Sequence, residues 1–186
     1  MESLSPDDAA SLQIIEQAIY APGLDVTYAK GSTLIGKLPG GPLRYLHKLF
    51  SPKENAAYEL EKALGFPPPL SYEKFFSLSD GATLFDNTLF LYGIEGTVSR
   101  EVSIDNVRPI SLIEEVEIRR ITNPDLEWIE VGGLSAATKS YSILLNQDGV
   151  TVLRSPDGAG RESRTFLAIL LTLFKIMQNN SGPLGL

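Results

Sequence analysis

Gly31-Ser32-Thr33-Leu34-Ile35-Gly36-Lys37 has the spacing of a phosphate-binding loop up to its lysine. In such a loop the backbone amides cradle phosphates and a following Ser/Thr hydroxyl holds magnesium. Here Leu38 takes the hydroxyl's place, and Pro39-Gly40-Gly41-Pro42 blocks the helix whose N-terminus should face the phosphates. A flexible loop that binds no nucleotide is expected. Gly133-Leu134-Ser135-Ala136-Ala137 resembles a nucleophile elbow with its last glycine replaced. The single histidine, His47, precedes that serine, whereas the elbow fold places its base after it, so Ser135 has no evident activating partner. With no cysteine and one histidine, metal ligation would fall to carboxylates, and no calcium-loop spacing of acids occurs. Glu114, Glu115 and Glu117 offer an acid/base pair, but acids in a first helical turn are expected from the helix dipole alone. These residues imply no catalytic site, no cofactor and no metal.

Positioning elements are legible from caps and breakers. Ser5-Pro6-Asp7-Asp8 starts a helix carrying Leu12, Ile15 and Ile19 inward until Pro22-Gly23. Residues 22 to 42, dense in Gly and Pro, read as a loop with a short strand near Val26 to Tyr28, followed by a short helix with Leu43, Leu46 and Leu49 inward. Ser51-Pro52-Lys53-Glu54 is a capping box with Pro at the first helical position, and Gly65 stands at a left-handed C-cap. Ser51→Ala would then cost about 1 kcal/mol. After Pro67-Pro68-Pro69, Ser71 caps a second helix with Tyr72, Phe75, Phe76 and Ser79 on one side, ending at Asp80-Gly81. Strands are expected at Thr88 to Tyr92 and Leu126 to Val131. Between them Ser111-Leu112-Ile113-Glu114 favours a helix over 112 to 121, against a strand-like alternation in Glu115 to Arg119. Asp148-Gly149 supplies the positive φ angles of a hairpin joining Ile143-Leu145 to Val150-Leu153, and a largely apolar helix closes the chain from Thr165 to Gln178. The aromatic set Phe66, Tyr72, Phe75, Phe76, Phe85, Phe90 and Tyr92 reads as core. Trp128 is either a core anchor or the aromatic centre of an interface.

Usage is ordinary for one globular domain: 186 residues, 43% hydrophobic and 21% charged. The net charge of −7 argues against nucleic acid as a direct partner. All of that excess arises between residues 66 and 160, either as solubilising surface or as a field that steers a basic partner. The stretch Phe166 to Met177, broken by Thr172 and Lys175, is short of the ~20 residues that span a membrane, so no membrane association is expected. The start Met1 to Asp8 has no signal-peptide pattern, and a cytoplasmic location is expected.

Three tracts share an order with a known superfamily: Tyr58 to Phe66 with its Leu64-Gly65 end, Pro69 to Gly81 with its aromatic helix and Asp80-Gly81 stop, and Phe85 to Gly93 with its Tyr92-Gly93 end. The sequence here resembles the SUKH superfamily, which includes fungal cell-wall assembly regulators and bacterial immunity proteins. Ile129 to Gly133, the Asp148-Gly149 hairpin and the closing helix with Phe166 and Leu170 follow in similar order. The resemblance covers 51–178, leaving 1–50 as an N-terminal helical extension and loop and 179–186 as a mobile tail. It implies an α+β fold, helices packed on a central, mostly antiparallel sheet, and a non-enzymatic, protein-binding role. The partner implied is a toxin domain, often a nuclease, that the protein neutralises, and the acidic stretch would suit a basic one. The alternative is a regulatory scaffold of the cell-wall assembly type, with a hydrolase as a remote third. Asp86, Glu95, Tyr92, Glu127, Trp128 and Glu130, at strand ends and in adjoining loops, are the candidate partner-binding residues.

Overall fold

The computed structural model describes residues 3–29, 31–41, 44–94, 109–123, 126–136, 139–163 and 165–180. Within them the chain is α+β, with five helices and one nine-stranded antiparallel sheet whose strands lie in sequence order. The expected tail from 179 on falls mostly outside the described residues, as does candidate residue Glu95.

Helix α1 (Pro6–Ile19) begins as its cap predicts: the Ser5 hydroxyl oxygen accepts the Asp8 N–H at 3.1 Å. The following Gly/Pro-rich stretch holds the strand expected near Val26 to Tyr28, but the rest of it is not a loop. Its glycines turn the chain between strands β1 (Val26–Ala29), β2 (Ser32–Lys37) and β3 (Tyr45–Phe50), with Gly31 (φ 70°) and Gly40 (φ 103°) in the left-handed region. The short helix expected around Leu46 and Leu49 is therefore strand β3, and Leu43 lies outside the described residues. Nearly every residue of β3 is buried, and a strand covered on both faces shows no period-two alternation to separate it from a helix.

Ser51 does not cap a helix. Its N–H donates to the Gly31 carbonyl at 3.0 Å, prolonging the β2–β3 region, and α2 (Ala56–Leu64) starts four residues later than the capping box implies, after Asn55 at φ 62°. The cap energy expected for Ser51 thus has no structural basis. Gly65 does end α2 in the left-handed region, its N–H bonded to the Glu61 carbonyl. In α3 (Leu70–Leu78) the residue at the cap position is Pro69, and Ser71 has a different role: its hydroxyl oxygen accepts the N–H of Phe166, the first residue of α5 (Phe166–Asn180), at 3.2 Å. A serine distant in sequence thereby satisfies one of that helix's four free amides.

Strands β4 (Ala82–Leu84), β5 (Leu89–Leu91), β6 (Ile129–Ala136), β7 (Lys139–Leu145), β8 (Thr151–Arg154) and β9 (Gly160–Ser163) complete the sheet. Helix α4 (Leu112–Thr122) enters between β5 and β6, with Ser111 accepting the Glu114 N–H as expected. The β7–β8 hairpin turns at Gly149 (φ 77°), and the Asn146 carboxamide oxygen clamps it by accepting the Asp148 and Val150 N–H groups. No helix among the described residues is long and apolar enough to cross a membrane.

The core lies between sheet and helices. Ile35, Leu84, Leu89, Ile143 and Leu153 meet Phe75, Phe76, Leu170 and Phe174 there. Tyr72 packs edge-on against Phe76 and Phe166, each with ring centroids 4.8 Å apart. The Tyr72 hydroxyl is buried with no partner among the described residues, and burial holds it protonated well above the ordinary tyrosine range. Removing an unsatisfied buried hydroxyl relieves its desolvation cost. Tyr72→Phe is expected to raise stability by about 1 kcal/mol, read as a higher urea midpoint. A fall of that size would show that the hydroxyl is bonded.

Candidate binding groove

Adjacent strand residues point to opposite faces, and the antiparallel register carries each face across the sheet. One row runs His47, Leu84, Leu89, Leu134 toward the helices. The next runs Lys48, Thr83, Phe90, Gly133, Ser142, Arg154 on the other face. A groove of about 570 Å³ opens over the β5–β8 part of this face. Phe90 and Leu144 supply its apolar floor, Ser135, Ser140 and Ser142 its hydroxyls, and Arg119, Glu130 and Arg154 its charges. Phe90 thus belongs to a surface groove as well as to the edge of the core, where sequence reading placed it alone. Its ring crosses Gly133, whose missing Cβ would sit 2.7 Å from Cζ of Phe90. Tyr92 stacks on Phe90 with centroids 5.9 Å apart.

At one end of the groove the Tyr92 hydroxyl donates to Oε1 of Glu130 at 2.9 Å, and Arg119 Nη2 donates to Oε2 at 2.6 Å. Arg119 Nε also bonds Glu115, its i−4 neighbour on α4. Burial first, then the Glu130 carboxylate, raises the Tyr92 pKa far above its usual value, so the phenol stays a donor. Burial opposes the charge on Arg119, but the two carboxylates outweigh it and raise its pKa. Arg120 donates to the Leu64 carbonyl at the end of α2, anchoring the α4 end that carries this network.

Tyr92 and Glu130, two of the expected contact residues, are therefore in direct contact. Asp86 is elsewhere, beyond the other end of β5, where Arg44 Nε and Nη2 both reach its Oδ2 at 2.9 and 2.6 Å. Glu127 is exposed, and Trp128 is half-buried outside the main core cluster. Two of the carboxylates expected to steer a partner, Asp86 and Glu130, are thus already matched by arginines within the chain. Arg119 and Arg154 were not foreseen. The Glu115/Arg119 spacing signals an ion pair, but only the β7–β8 register brings Arg154 beside Ser142.

The motifs weighed for catalysis sit in regular sheet. Gly31 to Lys37 is mostly strand β2, paired on both sides, so its amides do not form a phosphate cradle. Ser135 lies in β6 opposite Ser140, not on a strand-to-helix elbow. His47 is in β3, not a helix, on the helix-facing side. Its Nδ1 accepts the Phe85 N–H at 3.4 Å, and burial lowers its pKa to about 4. No group of three metal-ligating side chains occurs among the described residues. Comparisons with models of known families, with curated proteins and with solved structures find no match.

Proposed function

We propose that this chain is a protein-binding module of the immunity type, with a SUKH-like fold, that neutralises a toxin domain by holding it against the open face of β5–β8. One observation carries the reading. The sheet face turned away from Phe75, Phe76, Leu170 and Phe174 bears a groove, bordered by Arg119 of α4, whose hydroxyls at Ser135, Ser140 and Ser142 and guanidinium at Arg154 bond nothing among the described residues. Beside an aromatic floor, such unspent polar groups have the composition of a recognition surface: apolar contact for affinity, polar groups for register. The order of the Leu64-Gly65, Asp80-Gly81 and Tyr92-Gly93 motifs supports the same family.

The test is whether a toxin-like protein encoded beside this chain's gene, if the gene has such a neighbour, binds the chain in calorimetry and whether the chain protects growth on co-expression with it. Ser140→Trp fills the groove from an exposed position and is expected to weaken binding by roughly 2 kcal/mol or more, abolishing protection. Tyr58→Ala, at an exposed site on α2, should leave both unchanged. Protection by Ser140→Trp at the wild-type level would exclude the groove as the docking face, and absence of protection by the wild type would exclude the immunity role.

A further inference from the structure

The net charge and the acidic stretch favour a basic partner, yet the groove is charged the other way. Of its three ionic groups, Glu130 is held by both Arg119 and Tyr92, and Arg119 is shared between Glu130 and Glu115. The Arg154 guanidinium has no ion pair or hydrogen bond among the described residues. The other cation of the same row, Lys48, is buried and donates to the Asn87 carboxamide at 2.9 Å, so it is not offered to a ligand. Glu162 lies diagonally across from Arg154, two residues along β9 from Arg154's register partner Gly160, and does not pair with it. The groove therefore keeps one uncompensated guanidinium, opposite Ser142 in the register, with the Ser140 hydroxyl two residues along the same strand.

We propose that the Arg154 end of the groove is a carboxylate receptor, taking an Asp or Glu side chain of the protein partner while the neighbouring apolar side chain lies on Phe90 and Leu144. This deepens the binding-module reading and rests on it. A guanidinium presents parallel N–H donors matched to the two oxygens of a carboxylate, and serine hydroxyls can donate to the remaining lone pairs. Phosphate would suit the same donors. A protein carboxylate is favoured because the Glu130 carboxylate lines the same groove and the chain as a whole carries −7, conditions that disfavour a polyanion. Two electrostatic roles then separate: acidic surface steers the partner as a whole, and Arg154 fixes its register through one acid.

The full chain, labelled with nitrogen-15, is titrated by NMR with N-acetyl-aspartyl-phenylalaninamide and with its asparaginyl counterpart. The aspartyl peptide is expected to shift the amides of Gly133, Ser142 and Arg154 saturably and to bind about tenfold tighter than the asparaginyl one, a ratio that Arg154→Gln brings to one. Arg154→Gln removes no side-chain bond among the described residues, so its spectrum should otherwise overlay that of the wild type. Equal binding of the two peptides, a ratio unchanged by Arg154→Gln, or no saturable shift would overturn the receptor. So would inorganic phosphate displacing the peptide more strongly than acetate at equal concentration, which would point to a phosphate ligand. A positive peptide result with no toxin binding would remove the immunity role and leave the carboxylate receptor standing. Toxin binding indifferent to both Arg154→Gln and the peptide would do the reverse.

Discussion

Gly81→Ala is expected to destabilise the protein by about 3 kcal/mol or more, combining left-handed strain with backbone overlap. Gly81 has φ +80°, and an added Cβ would lie 2.7 Å from Gly93 N, 2.8 Å from the Leu91 carbonyl oxygen and 2.9 Å from Gly93 Cα. All three are backbone atoms of the β5 end and cannot swing aside. Gly93 is confined in return: its Cβ would overlap Pro109 and stand 2.5 Å from the Asp80 carbonyl oxygen. The segment leaving α3 thus crosses the end of β5 with backbone on backbone. Asp80 locks the crossing, its buried Oδ1 accepting the Ile94 N–H at 2.7 Å, and the Ser79 hydroxyl oxygen accepts the Phe50 N–H at 3.0 Å. Asp80→Asn keeps that acceptor and should be tolerated, whereas Asp80→Ala leaves a buried amide unpaired at a cost of about 1–3 kcal/mol. Gly41→Ala, at a site with open space and no positive φ, is the control and should change stability by less than about 0.5 kcal/mol. Urea unfolding followed by circular dichroism reads all four. A Gly81→Ala midpoint equal to that of the wild type would show that the two segments are further apart than described.

That crossing explains why parts of the chain were legible in sequence and others were not. Asp80-Gly81 and Tyr92-Gly93 stand out as short motifs, and both mark one contact, but nothing in either indicates that it touches the other. Elements specified by local chemistry were readable: the Ser5 and Ser111 caps bond the amides their spacing implies, and Asp148-Gly149 turns a hairpin. Ser51 misled because a capping box and a strand exit can share a sequence, and the choice was made by the Gly31 carbonyl, twenty residues upstream. β1 could be read near Val26 to Tyr28, but β2 and β3 were hidden for a related reason. Glycine and proline mark turns between strands as readily as they mark loops, and a strand buried on both faces has no alternation to display. At the groove, Tyr92 and Glu130 could be named from their strand ends, whereas their meeting with Arg119, and the placing of Arg154 beside Ser142, depend on α4 docking against β6 and on a register of four strands.

Mild acid is expected to weaken the fold through one side chain. His47 is 1% exposed, stacks edge-on with Phe85 at 5.0 Å, and uses unprotonated Nδ1 to accept the Phe85 N–H. Burial lowers its folded pKa to about 4, whereas the unfolded chain has the ordinary value near 6.5. Between those values the unfolded state binds a proton that the folded state refuses, so the stabilisation is complete above pH 6.5 and is lost as pH falls toward 4. The full loss is roughly 3 kcal/mol, of which about 2 kcal/mol is gone by pH 5. The chain has no other histidine, and carboxylates of ordinary pKa enter only near the bottom of this window. His47→Asn places a carboxamide oxygen near Nδ1, retaining an acceptor for Phe85 while deleting the titration. Its urea midpoint at pH 7 should fall through lost packing, and the further drop between pH 7 and pH 5 should shrink to that of the carboxylates alone. An equal pH-dependent drop in wild type and variant would place the acid sensitivity elsewhere and show that His47 is accessible to protons in the folded state. The same residue also bears on β3, whose neighbouring side chains Arg44 and Lys48 reach Asp86 and Asn87 across the β4–β5 turn. That turn holds Phe85, Asp86 and Asn87 all at positive φ. Opening the turn would expose His47 to a proton that the closed form refuses, and this favours the open form below pH 6.5, so the amides of 85 to 87 should lose hydrogen-exchange protection at pH 5 before those of β7 and β8 do.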